Sequence, residues 1–199
     1  MNIIQTMYRL ESRMTVLFRT LIIGLMILIP SGLWTEYLFA KANYPNAGFG
    51  GPQATFDVQE RRNEYSILIE QGTLYLFRQV QYADFGIVVG TFIVFATLLL
   101  ILAKWHPPQS IGRRLGQLGA VIISLGPLMD LCENITLLLI LQNPLEYPAS
   151  LGVANLLFTA GKTMFFILGW FVTAIVLLLL GIRKLRGLYQ TDTENHSSS

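Results

Sequence analysis

Long apolar runs separated by short polar stretches dominate the pattern of this chain. Four of them, at 15–37, 82–103, 115–141 and 151–181, reach the roughly 20 mostly apolar residues that a helix needs to cross a bilayer. None shows the alternation of a barrel strand, and a backbone in lipid must satisfy its polar groups internally. The pattern therefore predicts an all-α bundle of four transmembrane helices, in which the last two spans are long enough to tilt.

Composition agrees with a chain that is solvated by lipid. Hydrophobic residues make up 53% of the sequence and charged residues only 13%, which is about half the charged share of soluble domains. The net charge of +2 is too small to indicate a nucleic-acid partner. We expect one membrane domain over 1–185, with the lipid bilayer as its constant partner, followed by a polar, disordered cytoplasmic tail over 186–199.

Basic residues predict the orientation of the bundle, because Lys and Arg accumulate on the cytoplasmic side. They flank the same side of the predicted spans three times, while the short loop 142–150 has none. Both termini should therefore lie in the cytoplasm and the protein in the plasma or inner membrane. The residues concerned are Arg9, Arg13, Arg19, Lys104, Arg113, Arg114, Arg183, Lys184 and Arg186.

The first span has a second interpretation, as a secretory signal peptide. Arg9 and Arg13 would form its basic region, and Ala40-Lys41-Ala42 resembles a cleavage site. The stretch after Pro30 is long, however, and its aromatic residues are typical of an interfacial belt. We therefore favour a helix that is retained in the mature protein.

The segment 38–81 between the first two spans is predicted to be external and mostly helical. A turn-rich stretch at 44–52 is followed by Asp57, which is suited to cap a helix that ends near Gly72. A second helix should resume at Thr73 and lead into the next span. The apolar residues of the capped helix, expected on the membrane surface, are Val58, Tyr65, Leu68 and Ile69.

Three further polar residues are expected near solvent or lipid headgroups. Arg78 and Asp84 precede the core of the second span, where Arg78 would extend to lipid headgroups and Asp84 would be solvated or line a vestibule. His106 is expected to be exposed in the loop before the third span.

Polar residues inside the third and fourth spans are the candidate site. Asp130, Glu133 and Asn134 are spaced i, i+3 and i+4 and so share one helical face. The fourth span has a stripe of its own, formed by Asn155, Thr159 and Lys162. At 1.5 Å per residue, Glu133, Asp130 and Lys162 lie about 13, 18 and 17 Å from the outer helix ends. Since the two spans are antiparallel neighbours, Lys162 should reach both carboxylates.

Several roles are open for this cluster. Each charge at the bilayer centre costs about 2.5–3.5 kcal/mol on insertion scales, which favours a reason for keeping it there. The leading hypothesis is a binding or transport protein for a small ligand that is amphipathic, cationic or a lipid. The alternatives are a lipid enzyme with Glu133 or Asp130 as acid-base and Lys162 as modulator, and a structural or accessory subunit held by the ion pair. No catalytic residue, cofactor or metal site is indicated, since the common catalytic motifs are missing and the single cysteine, Cys132, has no partner.

The run Asp130-Leu-Cys-Glu-Asn134, followed by a helix with a lysine at mid-membrane, resembles uncharacterised four-span membrane proteins. In those proteins a segment like 72–84 precedes the second span, and the likeness extends over most of the chain. The resemblance implies the four-span fold but no activity. Four-span sterol isomerases of the emopamil-binding type also use acids within the membrane, but their motif order is missing here and the likeness is one of architecture alone.

Overall fold

A computed structural model describes residues 14–42 and 57–197, with side chains as far as residue 185. This part of the chain is all-helical and contains no strand. Four of its helices are long and apolar enough to cross a membrane, which confirms the four predicted spans. The helices are α1 (Met14–Ala42), α2 (Val58–Glu70), α3 (Leu74–Trp105), α4 (Ile111–Ile140) and α5 (Ala149–Ser197).

The helix boundaries extend beyond the predicted apolar runs. The α3 helix begins at Leu74, next to the predicted Thr73 and well before the apolar run at residue 82, and Phe77 and Val80 in its first turns are buried. The α4 helix begins after Ser110, whose hydroxyl accepts a hydrogen bond from the Arg113 amide at 3.3 Å. The backbone of α5 is helical to Ser197, and the disordered tail at 186–199 stays a prediction. The predicted turns at 44–52 lie outside the described residues.

The bundle is built by pairwise packing of helices along the chain. The α1 helix packs on α3, α3 on α4, and α4 on α5, so α3 and α4 occupy the middle. Small residues permit close approach. A Cβ atom at Gly90 of α3 would lie 2.7 Å from Cα of Leu28 in α1, and one at Gly116 of α4 would lie 3.0 Å from Cα of Ala103 in α3.

One half of the bundle has an apolar core. It lies toward the Trp105 end, by which we mean the end that carries the loop 106–110. Phe95 of α3 makes edge contacts with Phe166 and Trp170 of α5, which joins these two helices across the core. The buried residues of this core are Leu17, Leu99, Leu100, Ile101, Leu102, Ala120, Ile123 and Val176.

The opposite end, called the α2 end, is covered by α2. Asp57 caps this helix by accepting a hydrogen bond from the Gln59 amide at 2.8 Å, and Gly72 ends it with a φ of +67°. Both roles were predicted. Tyr65 and Leu68, however, are buried in a core with side chains of α3, α4 and the loop 141–148, while Ile69 is exposed. The expectation that all these residues lie on the membrane surface was therefore wrong.

Arginines bind the elements of the α2 end together. Arg62 donates to the carbonyl oxygen of Tyr147 at 3.0 Å and lies over the Tyr147 ring. Arg78 donates to the carbonyl oxygen of Leu141 at the C-terminus of α4, where a cation is favoured by the helix dipole. The expectation that Arg78 extends to headgroups was wrong, because these open carbonyls provide a nearer partner.

His106 also differs from expectation, since it is buried rather than exposed. Its Nε2 lies 3.2 Å from the carbonyl oxygen of Val176 in α5. A carbonyl oxygen can only accept, so the ring donates this hydrogen bond. His106 thus joins the end of α3 to α5.

Candidate functional site: a charged cluster between three helices

Lys162 of α5 bridges two carboxylates of α4. Its Nζ lies 3.0 Å from Oδ1 of Asp130 and 2.7 Å from Oε2 of Glu133. The two acids are three residues apart, so they occupy the same helical face one turn from each other. The flexible stem of Lys162 lets the ammonium group lie between them. The structure therefore brings these three sequence-predicted residues together.

Asn155 connects the cluster to the backbone of α4 and to α2. Its Nδ2 donates to the carbonyl oxygen of Glu133 and to the hydroxyl of Thr136, both at 2.9 Å. Its Oδ1 accepts from Nη1 of Arg61 at 2.9 Å. Arg61 is only 4% exposed, so a residue of α2 reaches into the membrane domain. Thr159, by contrast, turns its hydroxyl to the carbonyl oxygen of Asn155 in its own helix.

Asn134 brings a third acid, Asp84 of α3, into the cluster. Its Nδ2 donates to Oδ2 of Asp84 at 2.6 Å, and its own Oδ1 accepts no hydrogen bond from the described residues. From the sequence, Asp84 was expected near solvent, and its contact with Asn134 was not predicted. Helix length would have indicated this contact. Asp84 lies ten residues after the start of α3 at Leu74, or about 15 Å along the helix, and Asp130 lies about as far from the end of α4.

Arg61 was missed for a different reason. Arginine in a predicted surface helix is most simply interpreted as solvated, and the sequence pattern gave no sign that α2 turns this side chain inward. The hydrogen bond to Asn155 depends on how α2 sits over the ends of α4 and α5. That placement is a tertiary feature which local periodicity does not encode.

The cluster is buried at its centre and open at one side. Glu133, Asn134 and Asn155 have no exposed surface. The side chains of Lys162 and Asp130 keep 19% and 12% of their surface exposed. A ligand that approaches from the surface of the bundle would thus meet Lys162 and Asp130 first and Glu133 last.

Negative charge exceeds positive charge within the cluster. Asp84, Asp130 and Glu133 contribute three carboxylates, against the ammonium group of Lys162 and the guanidinium group of Arg61, which reaches the cluster through Asn155. Oε2 of Glu133 is held by its ion pair with Lys162, whereas Oε1 accepts no hydrogen bond from the described residues. Since an uncompensated charge is costly in a low-dielectric interior, a bound cation would be favoured at this cluster.

The acids of this cluster are not arranged as a metal site in the part of the chain that the structure describes. No group of three or more His, Cys, Asp or Glu side chains there is placed to hold a metal ion. What the cluster can do is accept hydrogen bonds and stabilise positive charge at its open side.

The resemblance to uncharacterised four-span membrane proteins stays a prediction. No protein-family model, curated protein or solved structure matches the chain.

Proposed function

We propose that this integral membrane protein is a binding or transport protein for a small amphipathic cation, which binds at the open side of the cluster. The residues that would contact or shape the site are Asp84, Asp130, Glu133, Asn134, Asn155, Thr159 and Lys162. The observation that carries the proposal is the surplus of carboxylates over ammonium groups among residues that lie inside membrane-spanning helices.

The charge of the ligand follows from this surplus. Lys162 pairs with two acids at once, and Asp84 accepts its hydrogen bond from the amide of Asn134 rather than from a cation. A ligand with one positive charge would replace part of the missing compensation in a site of low dielectric, where such an interaction is strongest. An anionic ligand would instead add to the repulsion.

The amphipathic nature of the ligand follows from the surroundings of the cluster. Phe166 packs one turn beyond Lys162 along α5, against Gly126 of α4. Met129 lies against Gly161 at the same level. A ligand that reaches Asp130 from the bundle surface therefore passes apolar side chains, so we expect it to combine a cationic group with an apolar body.

Binding of two ions of the same shape and opposite charge tests the proposal. Tetraphenylphosphonium and tetraphenylborate would each be titrated against the full chain in nanodiscs of neutral lipid. We expect saturable binding of the phosphonium ion alone, weakened about tenfold by Asp130→Asn as one charge is lost. Glu146→Gln, in an exposed loop residue, is the matched control and should bind like the wild type.

The alternatives correspond to the other outcomes. If neither ion binds, or if both bind equally, the ligand proposal is wrong and the cluster is a structural ion pair that holds α4 to α5. If the phosphonium ion binds equally well to Asp130→Asn, cation binding occurs elsewhere on the protein. A lipid that is consumed on incubation with the wild type would support the enzyme alternative.

A further inference from the structure

A groove at the Trp105 end lies far from the charged cluster and has no part in the function proposed above. It has a volume of about 630 Å³ and opens on the bundle surface. Its wall on α5 is formed by Leu177, Leu180, Gly181 and Lys184, which are spaced i, i+3, i+4 and i+7 and so share one helical face. Trp105, the last residue of α3, forms the opposite wall.

Two polar contacts between α3 and α5 frame the groove. His106 binds the carbonyl oxygen of Val176, and Nη1 of Arg183 donates to the carbonyl oxygen of Trp105 at 3.3 Å. The two positions on α5 are seven residues apart, or about two turns. Between them the helices do not close: a Cβ atom at Gly181 would meet nothing within 4 Å. The groove is therefore defined by contacts between α3 and α5 on both sides of it.

The chemistry of the groove changes along its length. Leu177 and Leu180 form an apolar section toward the membrane interior, and Trp105, Arg183 and Lys184 lie beyond it at the end of the span. Tryptophan is typical of the membrane–water interface, and an arginine at this depth meets lipid phosphates. An apolar wall, then an interfacial ring, then two cations is the order that would fit the acyl chains and the headgroup of one lipid.

The charged side chains that the structure describes at the Trp105 end are all basic. Among the side chains that the structure describes, no acidic residue lies at this end, because all nine occur in α2 or in the half of the bundle toward the α2 end. The cations there include Arg19, Lys104, Arg113 and Arg114 as well as Arg183 and Lys184. A lipid with a net negative charge would offset the charges of Arg183 and Lys184 at the groove, which a lipid without net charge would not do. We propose that the groove binds one anionic phospholipid, with its phosphate at Arg183 and Lys184 and an acyl chain along Leu177 and Leu180.

Lipid retention measured by native mass spectrometry tests this site. The full chain would be purified in nonionic detergent and given an equimolar mixture of phosphatidylglycerol and phosphatidylcholine with identical acyl chains. We expect the wild type to retain one phosphatidylglycerol with a preference on the order of tenfold, since each nearby Lys or Arg contributes several-fold. Arg183→Gln/Lys184→Gln should lose the preference, and Gly181→Leu should lose the bound lipid altogether.

Gly32→Leu is the matched control for the glycine variant. Gly32 of α1 also has nothing within 4 Å of an added Cβ, so the substitution adds the same side chain to another open helix face and should leave lipid retention unchanged. Because an added Cβ atom meets nothing within 4 Å at either glycine, loss of folding is not expected in either variant, and size-exclusion profiles would check this.

Three results would overturn the proposal. Retention of phosphatidylglycerol by Gly181→Leu would mean that the lipid binds outside the groove. Equal retention of the two lipids by the wild type would mean that Arg183 and Lys184 do not recognise the headgroup. Displacement of the lipid by millimolar glycerol 3-phosphate would assign the cations to a soluble phosphate compound, whereas resistance to it would support a lipid.

Discussion

The two halves of the membrane domain hold their helices together with different side chains. Toward the Trp105 end, helices meet through leucine, isoleucine, valine and glycine, with no charge in the core. Toward the α2 end, the same helices meet through three carboxylates, one ammonium group and two amides. The apolar half demonstrates that this chain can join its helices without buried charge. The charges in the other half, each costly in a membrane, therefore require a reason other than packing.

The largest effect is expected from Lys162→Met, which leaves Asp130 and Glu133 with no cation. Breaking one side of a buried pair costs about 3–5 kcal/mol, because the remaining charge is uncompensated. Thermal unfolding in detergent should show a marked loss of stability. Adding Glu133→Gln should restore part of it, and a double variant no more stable than Lys162→Met alone would show that the two side chains do not interact.

Arg61→Met should have the next largest effect, since it removes the hydrogen bond from α2 to Asn155. A hydrogen bond from a charged donor contributes about 1.5–3 kcal/mol, and Oδ1 of Asn155 would lose its partner. Limited proteolysis should then cut near α2 faster, with Arg61→Lys intermediate because it keeps the charge but not the forked donor. Unchanged protection of α2 would contradict the proposed tie between α2 and the cluster.

Gly116→Ala tests the apolar half by overfilling it. The new methyl group would lie 2.7 Å from Cβ and 3.0 Å from Cα of Ala103, so α3 and α4 must separate. We expect a loss of about 1–3 kcal/mol in the free energy of unfolding, measured by unfolding in mixed detergent. Gly32→Ala, with open space around the new atom, should be neutral, and an equal loss there would refute the packing argument.

The smallest effect on stability is expected from Asp84→Asn. The new amide oxygen can still accept the hydrogen bond from Asn134 that now measures 2.6 Å, so the unfolding temperature should change by less than the equivalent of about 1 kcal/mol. Asp84→Leu cannot accept it and should cost more. If both substitutions are equally harmful, the charge of Asp84 and not its hydrogen bond stabilises the fold.

Much of this architecture was predictable because the bilayer restricts the choices. Four spans followed from hydropathy, and the capped helix at α2 followed from Asp57 and Gly72. The meeting of Lys162 with Asp130 and Glu133 followed from helical periodicity and matched depth on two adjacent helices.

What escaped prediction depends on contacts between segments that are distant in sequence. Asp84 lies 50 residues from Asn134 and Arg61 lies 94 residues from Asn155. Neither pairing is encoded in the period of its own helix. The burial of His106 likewise depends on the carbonyl of Val176 on another helix. Such contacts become visible only when the helices are placed together.

One measurement tests the central claim that the surplus of carboxylates exists to bind a cation. The variant Asp84→Asn/Asp130→Asn removes two of the three acids and keeps the pair of Glu133 and Lys162, whose atoms lie 2.7 Å apart. We predict that it stays folded, as judged by thermal unfolding, while its affinity for tetraphenylphosphonium falls on the order of 100-fold as two charges are lost. A folded double variant that binds the ion as tightly as the wild type would contradict the account.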